Sequence, residues 1–344
     1  MTGSAGERSD EGAPAASAPD VDAEARATPG QRLQAGLVRG IAAVLRRLPP
    51  GTVAGMGSAA GALYGLLARR RRRIAIENLT AALGSGVPPD RLRAIARGAF
   101  RHFGRAAFEM LAMDRYRSAR ARDVHEAGSQ GAQSRPPAMF VFEGFENVRA
   151  ACARGRGALL FSAHYGNWEV GVLLMGYLGL PVGIITRPLD NAGLETFMRE
   201  AREASGNRVI GKKSAVKQTL RALRSGMGVA MLIDQNVRSG ARVFVDFFGR
   251  PASTTPTLAL LALKTGAPIL PLFALPGPGG SYRFICGKEL AVPETGDRDA
   301  DVLALTQACT RIIEEQVRAR PDCWLWMHER WKTRPRKGEA PGDV

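Results

Sequence analysis

From about residue 138 onwards, short apolar runs alternate with amphipathic ones. ALLFSAH leads into NWEVGVLLMGYLG, PVGIIT into AGLETFMREAREASGN, and RVIG into SAVKQTLRALRSG; VAMLID, PTLALLALKTG and PILPLFAL follow. Runs of strand length between runs of helix length predict an α/β fold, a mixed central sheet covered by helices. Gly206 and Gly226 stand where helix C-caps belong. A last helix is expected over about 299–319, followed by the aromatic and basic stretch DCWLWMHERWKTRPRK.

The N-terminal part has a different texture. Residues 74–123 read as helices, with Leu79, Leu83, Leu92, Ile95, Ala99, Phe100, Phe103, Phe108 and Leu111 as core; His102 falls in this helical region, and His125, just past it, is read with it. Residues 33–48 set Leu33, Leu37, Ile41, Val44, Leu45 and Leu48 along one helical face and Arg39, Arg46 and Arg47 on the other. Such a helix suits either an anionic membrane surface or the protein's own core. Residues 51–68 carry no charge, and Gly57, Gly61 and Gly65 recur every four residues as a face for close helix contact. The block Arg69 to Arg73 follows at once, the pattern of the cytoplasmic side of a membrane. Together 33–73 is expected to be a membrane-associated helical anchor with a helical N-terminal region, and 74–336 the main domain, with a helical entry over 74–123 and an α/β core over about 138–336. The Ala-, Gly-, Ser- and Pro-rich residues 1–32 and the end 337–344 are expected to be disordered tails. Gly55, Gly57 and Ala60 fit a dinucleotide-binding pattern, but no apolar strand leads into it, so the match carries little.

Charge narrows the partners. The chain of 344 residues carries a formal charge of +16, although its first 32 residues hold six acids against three bases. A body this basic calls for an acidic partner: anionic membrane lipid, an acidic carrier protein or nucleic acid. Nucleic acid is disfavoured, since aromatics are only 6% of the chain and sit mostly in apolar runs. Cys152, Cys286, Cys309 and Cys323 show neither a metal-binding nor a disulfide spacing, so they are read as reduced, and no metal site is expected.

The chemistry points to SAHYGNWEV. A strand ends at His164, Asn167 is a good N-cap, and a helix follows. Across that turn Glu169 can meet His164, and its place in the first helical turn favours the carboxylate. A carboxylate beside an imidazole fixes the tautomer and raises basicity. No Gly-x-Ser-x-Gly elbow occurs, so the hydroxyl that this base would activate is expected to come from a substrate.

His164 and Glu169 in this setting resemble the His-x-x-x-x-Asp/Glu signature of the lysophospholipid acyltransferase superfamily. TRPLDNAGLE, GNRVIGKK, IDQNVRSG, VFVDFFGRPASTT and WLWMHERWKTRP resemble, in order, blocks of the bacterial lipid A biosynthesis (lauroyl/myristoyl) acyltransferases over roughly residues 35–336. The resemblance implies transfer of a fatty-acyl chain from a thioester, with acyl carrier protein as donor, to a hydroxyl of a lipid A precursor. It implies no cofactor, no acyl-enzyme, and a catalytic domain on the cytoplasmic face of a bacterial inner membrane. An acceptor of the glycerophospholipid or phosphatidylinositol mannoside type would use the same residues. Glu329 stands where the family more often has a basic residue.

Other candidates are placed by their elements. Arg187, after a strand, is assigned to oxyanion or phosphate contact, against a salt bridge with Asp190, itself a substrate-binding candidate. Asp234 and Gln235 end the strand VAMLID and are read as orienting Arg187 or the substrate. Phe247 and Phe248 are either an acyl-chain wall or core. Thr254 and Thr255 are either caps or substrate contacts. Arg330 and Lys332, among Trp324, Trp326, Trp331 and His328, suit phosphate headgroups or a membrane interface, with packing on the sheet as the alternative.

Overall fold

The computed structural model describes residues 27–118, 124–126, 139–211 and 215–335. The N-terminal part is four helices, α1 Pro29–Leu45, α2 Pro50–Leu67, α3 Arg69–Leu83 and α4 Pro89–Leu111. Helix α1 starts earlier than its apolar pattern, because Thr28 and Gln31 form a reciprocal capping box with Pro29 in the first turn. Residues 29–32 are therefore helical and not part of a tail, while the tails expected over 1–26 and 337–344 lie outside the described residues.

The sheet strands are β1 Val124–Glu126, β2 Phe140–Glu143, β3 Leu159–Ser162, β4 Val182–Thr186, β5 Arg208–Gly211 and β6 Gly228–Leu232. A hairpin follows, β7 Val243–Asp246 and β8 Pro251–Thr254, and then the last sheet strands, β9 Ile269–Pro276 and β10 Tyr282–Cys286. The covering helices are α5 Phe145–Ala153, α6 Trp168–Tyr177, α7 Ala192–Glu203, α8 Ala215–Arg224, α9 Thr257–Thr265 and α10 Arg298–Ala319. The sheet order is β1-β2-β10-β9-β3-β6-β4-β5. Among the described strands of this sheet only β9 and β10 pair antiparallel. The mixed sheet predicted from the alternating runs is thus present, with His125 on strand β1 and not in a helical region.

Strand β3 is central, and its run is apolar because both faces are covered. Leu159 and Phe161 join a core with Leu258, Leu305 and Trp324, while Leu160 joins the opposite core with Val170, Leu173 and Phe197. Of the helical core residues, Leu79, Leu92, Ile95, Ala99 and Phe100 are buried, and Leu83, Phe103, Phe108 and Leu111 are partly so.

The small face of α2 finds its contact within the chain. A Cβ on Gly61 would lie 2.1 Å from the Phe100 carbonyl oxygen, and one on Gly104 2.5 Å from Gly61 Cα. Gly61→Ala is expected to lower stability by about 1–3 kcal/mol by forcing α2 off α4; thermal and urea unfolding would measure it, and no change would contradict this packing. Among the described residues no single helix is long and apolar enough to cross a membrane; α2 and α3 pass that test only together, across a 94° bend.

Candidate active site

Strand β3 delivers His164 to the carboxyl edge of the sheet, where open α/β sheets place their ligands. Beyond Ser162 the chain is tied on both sides. Tyr165 bridges to Trp324 and Gly166 to Ala274. Gly166 has φ +65°, and a Cβ there would meet the Ala274 carbonyl oxygen at 2.1 Å, so this turn requires glycine. The His164 main chain is held at both ends: its N–H donates to Asp234 Oδ2 at 2.9 Å, and its carbonyl accepts from Leu325 N–H at 3.1 Å.

The imidazole is oriented by the same carboxylate, with Nδ1 2.8 Å from Asp234 Oδ1. Trp168 packs edge-on against the ring, centroids 4.9 Å apart. Nε2 lies 3.1 Å from the amide nitrogen of Gln235, and the His164 side chain keeps 19% of its surface exposed. A proton on Nδ1 donated to Asp234 leaves the Nε2 lone pair towards solvent, accepting from Gln235. That is the tautomer a general base needs.

Asp234 is buried, and it collects three donors: His164 Nδ1, the His164 main chain and the Trp324 indole N–H at 2.8 Å from Oδ2. Burial pushes its pKa up, but the adjacent imidazole and these hydrogen bonds outweigh burial and hold the carboxyl below the usual carboxylate range.

The carboxylate on His164 is therefore Asp234, where Glu169 had been expected. Glu169 does lie in the first turn of α6, but it is buried and takes both arms of Arg202 from α7, Nε at 2.9 Å and Nη2 at 2.6 Å. The reason lies in strand register. Ser162 pairs with Leu232 in the parallel β3–β6 ladder, so His164 and Asp234, each two residues further on, leave the sheet side by side. Adjacent strands stand about 4.8 Å apart, which suits a carboxylate–imidazole contact.

Behind the turn lies a second polar cluster. Asn167 caps α6, accepting from Val170 N–H, while its amide donates to the Tyr282 hydroxyl at 2.9 Å. Tyr282 hydrogen-bonds to buried Glu109, which also takes Arg105 Nε at 2.8 Å. Burial and the Glu109 carboxylate hold the Tyr282 phenol well above its ordinary range. His102 donates from Nε2 to the Gly166 carbonyl at 3.0 Å, and burial lowers its pKa to about 4. Asn167 is thus a buried cap and brace for the histidine turn.

The remaining candidates divide by burial. Arg330 is fully buried under the loop: it donates to the Ser253 carbonyl and Thr254 Oγ1, both at 2.6 Å, and to the Gln235 carbonyl at 3.3 Å. Burial lowers its pKa to about 10. It holds the Gln235 loop against the hairpin and does not face solvent. Thr254 is part of this buried network, whereas Thr255 hydrogen-bonds Thr257 at 2.7 Å beside the start of α9. Phe247 and Phe248 are core: both are buried and pack on Trp324, Trp326 and Trp331, which are themselves buried and not at an interface. Phe248 (φ 58°) and Gly249 (φ 71°) make the tight turn of the β7–β8 hairpin.

Arg187 and Asp190 are strongly exposed and stand 3.8 Å apart. Arg187 follows β4, which is two strands from β3, or about 10 Å across the sheet. Lys332 donates to Glu329 at 2.9 Å, and Arg70 and Arg238 each lie 3.6 Å from that carboxylate. The acid at 329 is held below its ordinary pKa first by the Lys332 hydrogen bond, and it ties three basic groups into one rim. Arg202, Glu109 and the Trp324–Asp234 contact were not picked out from the sequence, because each joins segments far apart in the chain.

At the carboxyl edge of an open mixed α/β sheet, an imidazole oriented by a buried carboxylate is an arrangement able to do acid–base chemistry. The chain belongs to the bacterial lipid A biosynthesis acyltransferases, whose family model matches residues 27–333, and it is an O-acyltransferase of that type. It is 26% identical over 291 residues to the lipid A biosynthesis palmitoleoyltransferase of Escherichia coli (strain K12), covering 84% of this chain and 88% of the relative. The lipid A biosynthesis lauroyltransferase of the same organism is 28% identical over 194 residues, 56% of this chain and 61% of that protein. A phosphatidylinositol mannoside acyltransferase of Mycobacterium tuberculosis (strain CDC 1551 / Oshkosh) is 26% identical over 264 residues, 74% of this chain and 75% of that protein.

Proposed function

We propose that the protein moves a fatty-acyl chain from an acyl thioester, carried by acyl carrier protein, to a hydroxyl of a lipid A precursor, with His164 as general base oriented by Asp234. The observation that carries this reading is the Nδ1–Asp234 contact at 2.8 Å, with Nε2 on the other side of the ring at an exposed contact with Gln235. As the acceptor oxygen bonds to the thioester carbonyl carbon, Nε2 takes its proton. The tetrahedral oxyanion then collapses, the C–S bond breaks, and the proton passes to the leaving thiolate. The products are an ester and a free thiol, with no acyl-enzyme and no cofactor. Gln235 occupies the approach to Nε2, so an acceptor hydroxyl takes its place there. Arg187, exposed and about two strands away, suits an acceptor phosphate better than the oxyanion. Glu169 acts in this reading through Arg202, fixing the helix that begins beside the base.

The site belongs at a membrane surface, in this reading the cytoplasmic face of a bacterial inner membrane. Leu33, Leu37, Ile41 and Val44 of α1 are exposed along one face, as are Leu63, Leu66 and Leu67 at the end of α2, directly before the arginine block. Apolar stripes beside clustered arginines fit insertion among anionic headgroups. Helix α8 turns Lys217, Arg221 and Arg224 to solvent, a charge pattern that fits an acidic carrier protein.

Incubating purified enzyme in anionic vesicles with acyl carrier protein or coenzyme A thioesters, and with a lipid A precursor or a phosphatidylinositol mannoside, tests the reading. Mass spectrometry is expected to show one added acyl chain on the lipid A precursor, faster from the carrier protein. No added chain on that acceptor, with acylation of the mannoside, would replace the acceptor assigned here.

A further inference from the structure

The C-terminal strap, residues 323–333, is threaded through the site more closely than a packing segment needs to be. Leu325 N–H takes the His164 carbonyl, Trp324 bridges to Tyr165, and His328 Nε2 accepts from the Asn236 main chain at 3.1 Å. Asn236 and Thr333 exchange two hydrogen bonds, at 3.0 and 3.1 Å. From the far side Asn78 of α3 holds the strap by donating to the carbonyls of Trp326 and His328, both at 2.8 Å. One side chain of the strap reaches the dyad itself: Trp324, whose indole N–H donates to Asp234 Oδ2 at 2.8 Å from a position only 1% exposed.

We propose that Trp324 is a positioning residue for acyl transfer: its N–H shares Asp234 Oδ2 with the His164 main chain, and so sets how strongly Asp234 draws on the imidazole. The inference rests on His164 being the base. A carboxylate that accepts an extra hydrogen bond has part of its charge satisfied away from its partner. Remove that donor in a buried site and Oδ1 becomes the stronger acceptor, so the imidazolium is stabilised and Nε2 stays protonated to higher pH. The carboxylate also loses one of the contacts that fix its plane against the ring.

Among the described residues, His328 of the strap and Arg330 beneath the loop are electrostatically coupled to the dyad, with Glu329 acting on His328 from beyond it. Burial holds His328 neutral, with a pKa of about 4, and Arg330 is anchored on the hairpin by bonds that do not involve Trp324. Neither group hydrogen-bonds the Trp324 side chain.

Trp326 supplies the matched control. It is equally buried and edge-on to Trp324, but its indole N–H donates to the Pro321 carbonyl at 2.6 Å. The experiment compares the full chain in vesicles as wild type, Trp324→Phe and Trp326→Phe. It records kcat and KM against pH with an acyl thioester and the lipid A precursor, together with melting temperature. Trp324→Phe is expected to lower kcat about tenfold and to move the acid limb of the profile up by about half to one pH unit, with acceptor KM within about twofold. Trp326→Phe is expected to lose melting temperature with the acid limb unmoved. Should Trp324→Phe fail to fold, a benzothienylalanine at position 324, which keeps the ring shape and lacks the N–H, is expected to give the same limb shift. An acid limb that stays at the wild-type position in a folded variant lacking that N–H would reduce Trp324 to packing and overturn the proposal. Transfer that survives His164→Ala would instead overturn the base itself, a separate result.

Discussion

His164→Ala is expected to lower kcat/KM for acyl transfer by about 10²–10⁴-fold, the usual worth of a positioned base, with membrane association unchanged. The side chain is partly exposed and stacks only edge-on with Trp168, so its loss costs little packing. Asp234→Asn is expected to fall nearly as far, for a different reason. The carboxylate serves three N–H donors with two oxygens. An amide has one oxygen. If its NH₂ replaces Oδ2, it opposes the His164 main chain and the Trp324 indole. If it replaces Oδ1, it donates to Nδ1 and moves the ring proton to Nε2, which ends its use as a base. Because both residues act on one proton, the double variant is expected to be little worse than His164→Ala alone. Fully additive losses, or an active His164→Ala enzyme, would show that the two do not work as a unit.

Arg202→Met is expected to destabilise the fold by about 3–5 kcal/mol, the cost of leaving a buried charge without its partner. Glu169 is buried in the first turn of α6, and the two arms of Arg202 are the partners of its carboxylate. The ion pair raises the guanidinium's pKa although burial works against it. Glu169→Gln in the Arg202→Met background is expected to restore much of the melting temperature, since it removes the stranded charge. The pair also separates two roles for Glu169. A folded Glu169→Gln enzyme with its pH profile in place would mark the residue as a brace of the α6 turn, and loss of transfer at unchanged melting temperature would put Glu169 in the chemistry.

Much of the site was legible in the order of the chain. A strand, a histidine, a glycine turn and an asparagine cap occupy nine residues, and local sterics and capping rules are enough to place His164 at a strand end. The same rules put Asp234 and Gln235 at the end of another strand. The pairing of His164 with Glu169 was inferred from closeness in sequence, and there it failed, because a five-residue separation says nothing of which strand lies alongside. For the C-terminal tryptophans the sequence left an interface and packing on the sheet both open, and the structure shows packing. Trp with Arg and Lys is the composition of a membrane interface, and it is equally the composition of a strap whose rings are buried while its cations hold carbonyls, as Arg330 does.

What the sequence by itself determined is therefore the α/β alternation, the small face of α2, and the place of His164 at a strand end before a capped turn. Each depends on interactions within a few residues or on the period of one element. Only the tertiary structure decided which carboxylate the base uses, that α1 leaves its apolar stripe uncovered, and that Trp324 closes the shell of Asp234. Those depend on strand order and on the path of the last residues back across the sheet. Both are set by packing between segments far apart in the chain, where periodicity carries no information. His164 and Asp234 lie 70 residues apart and meet at 2.8 Å because β3 and β6 are neighbours.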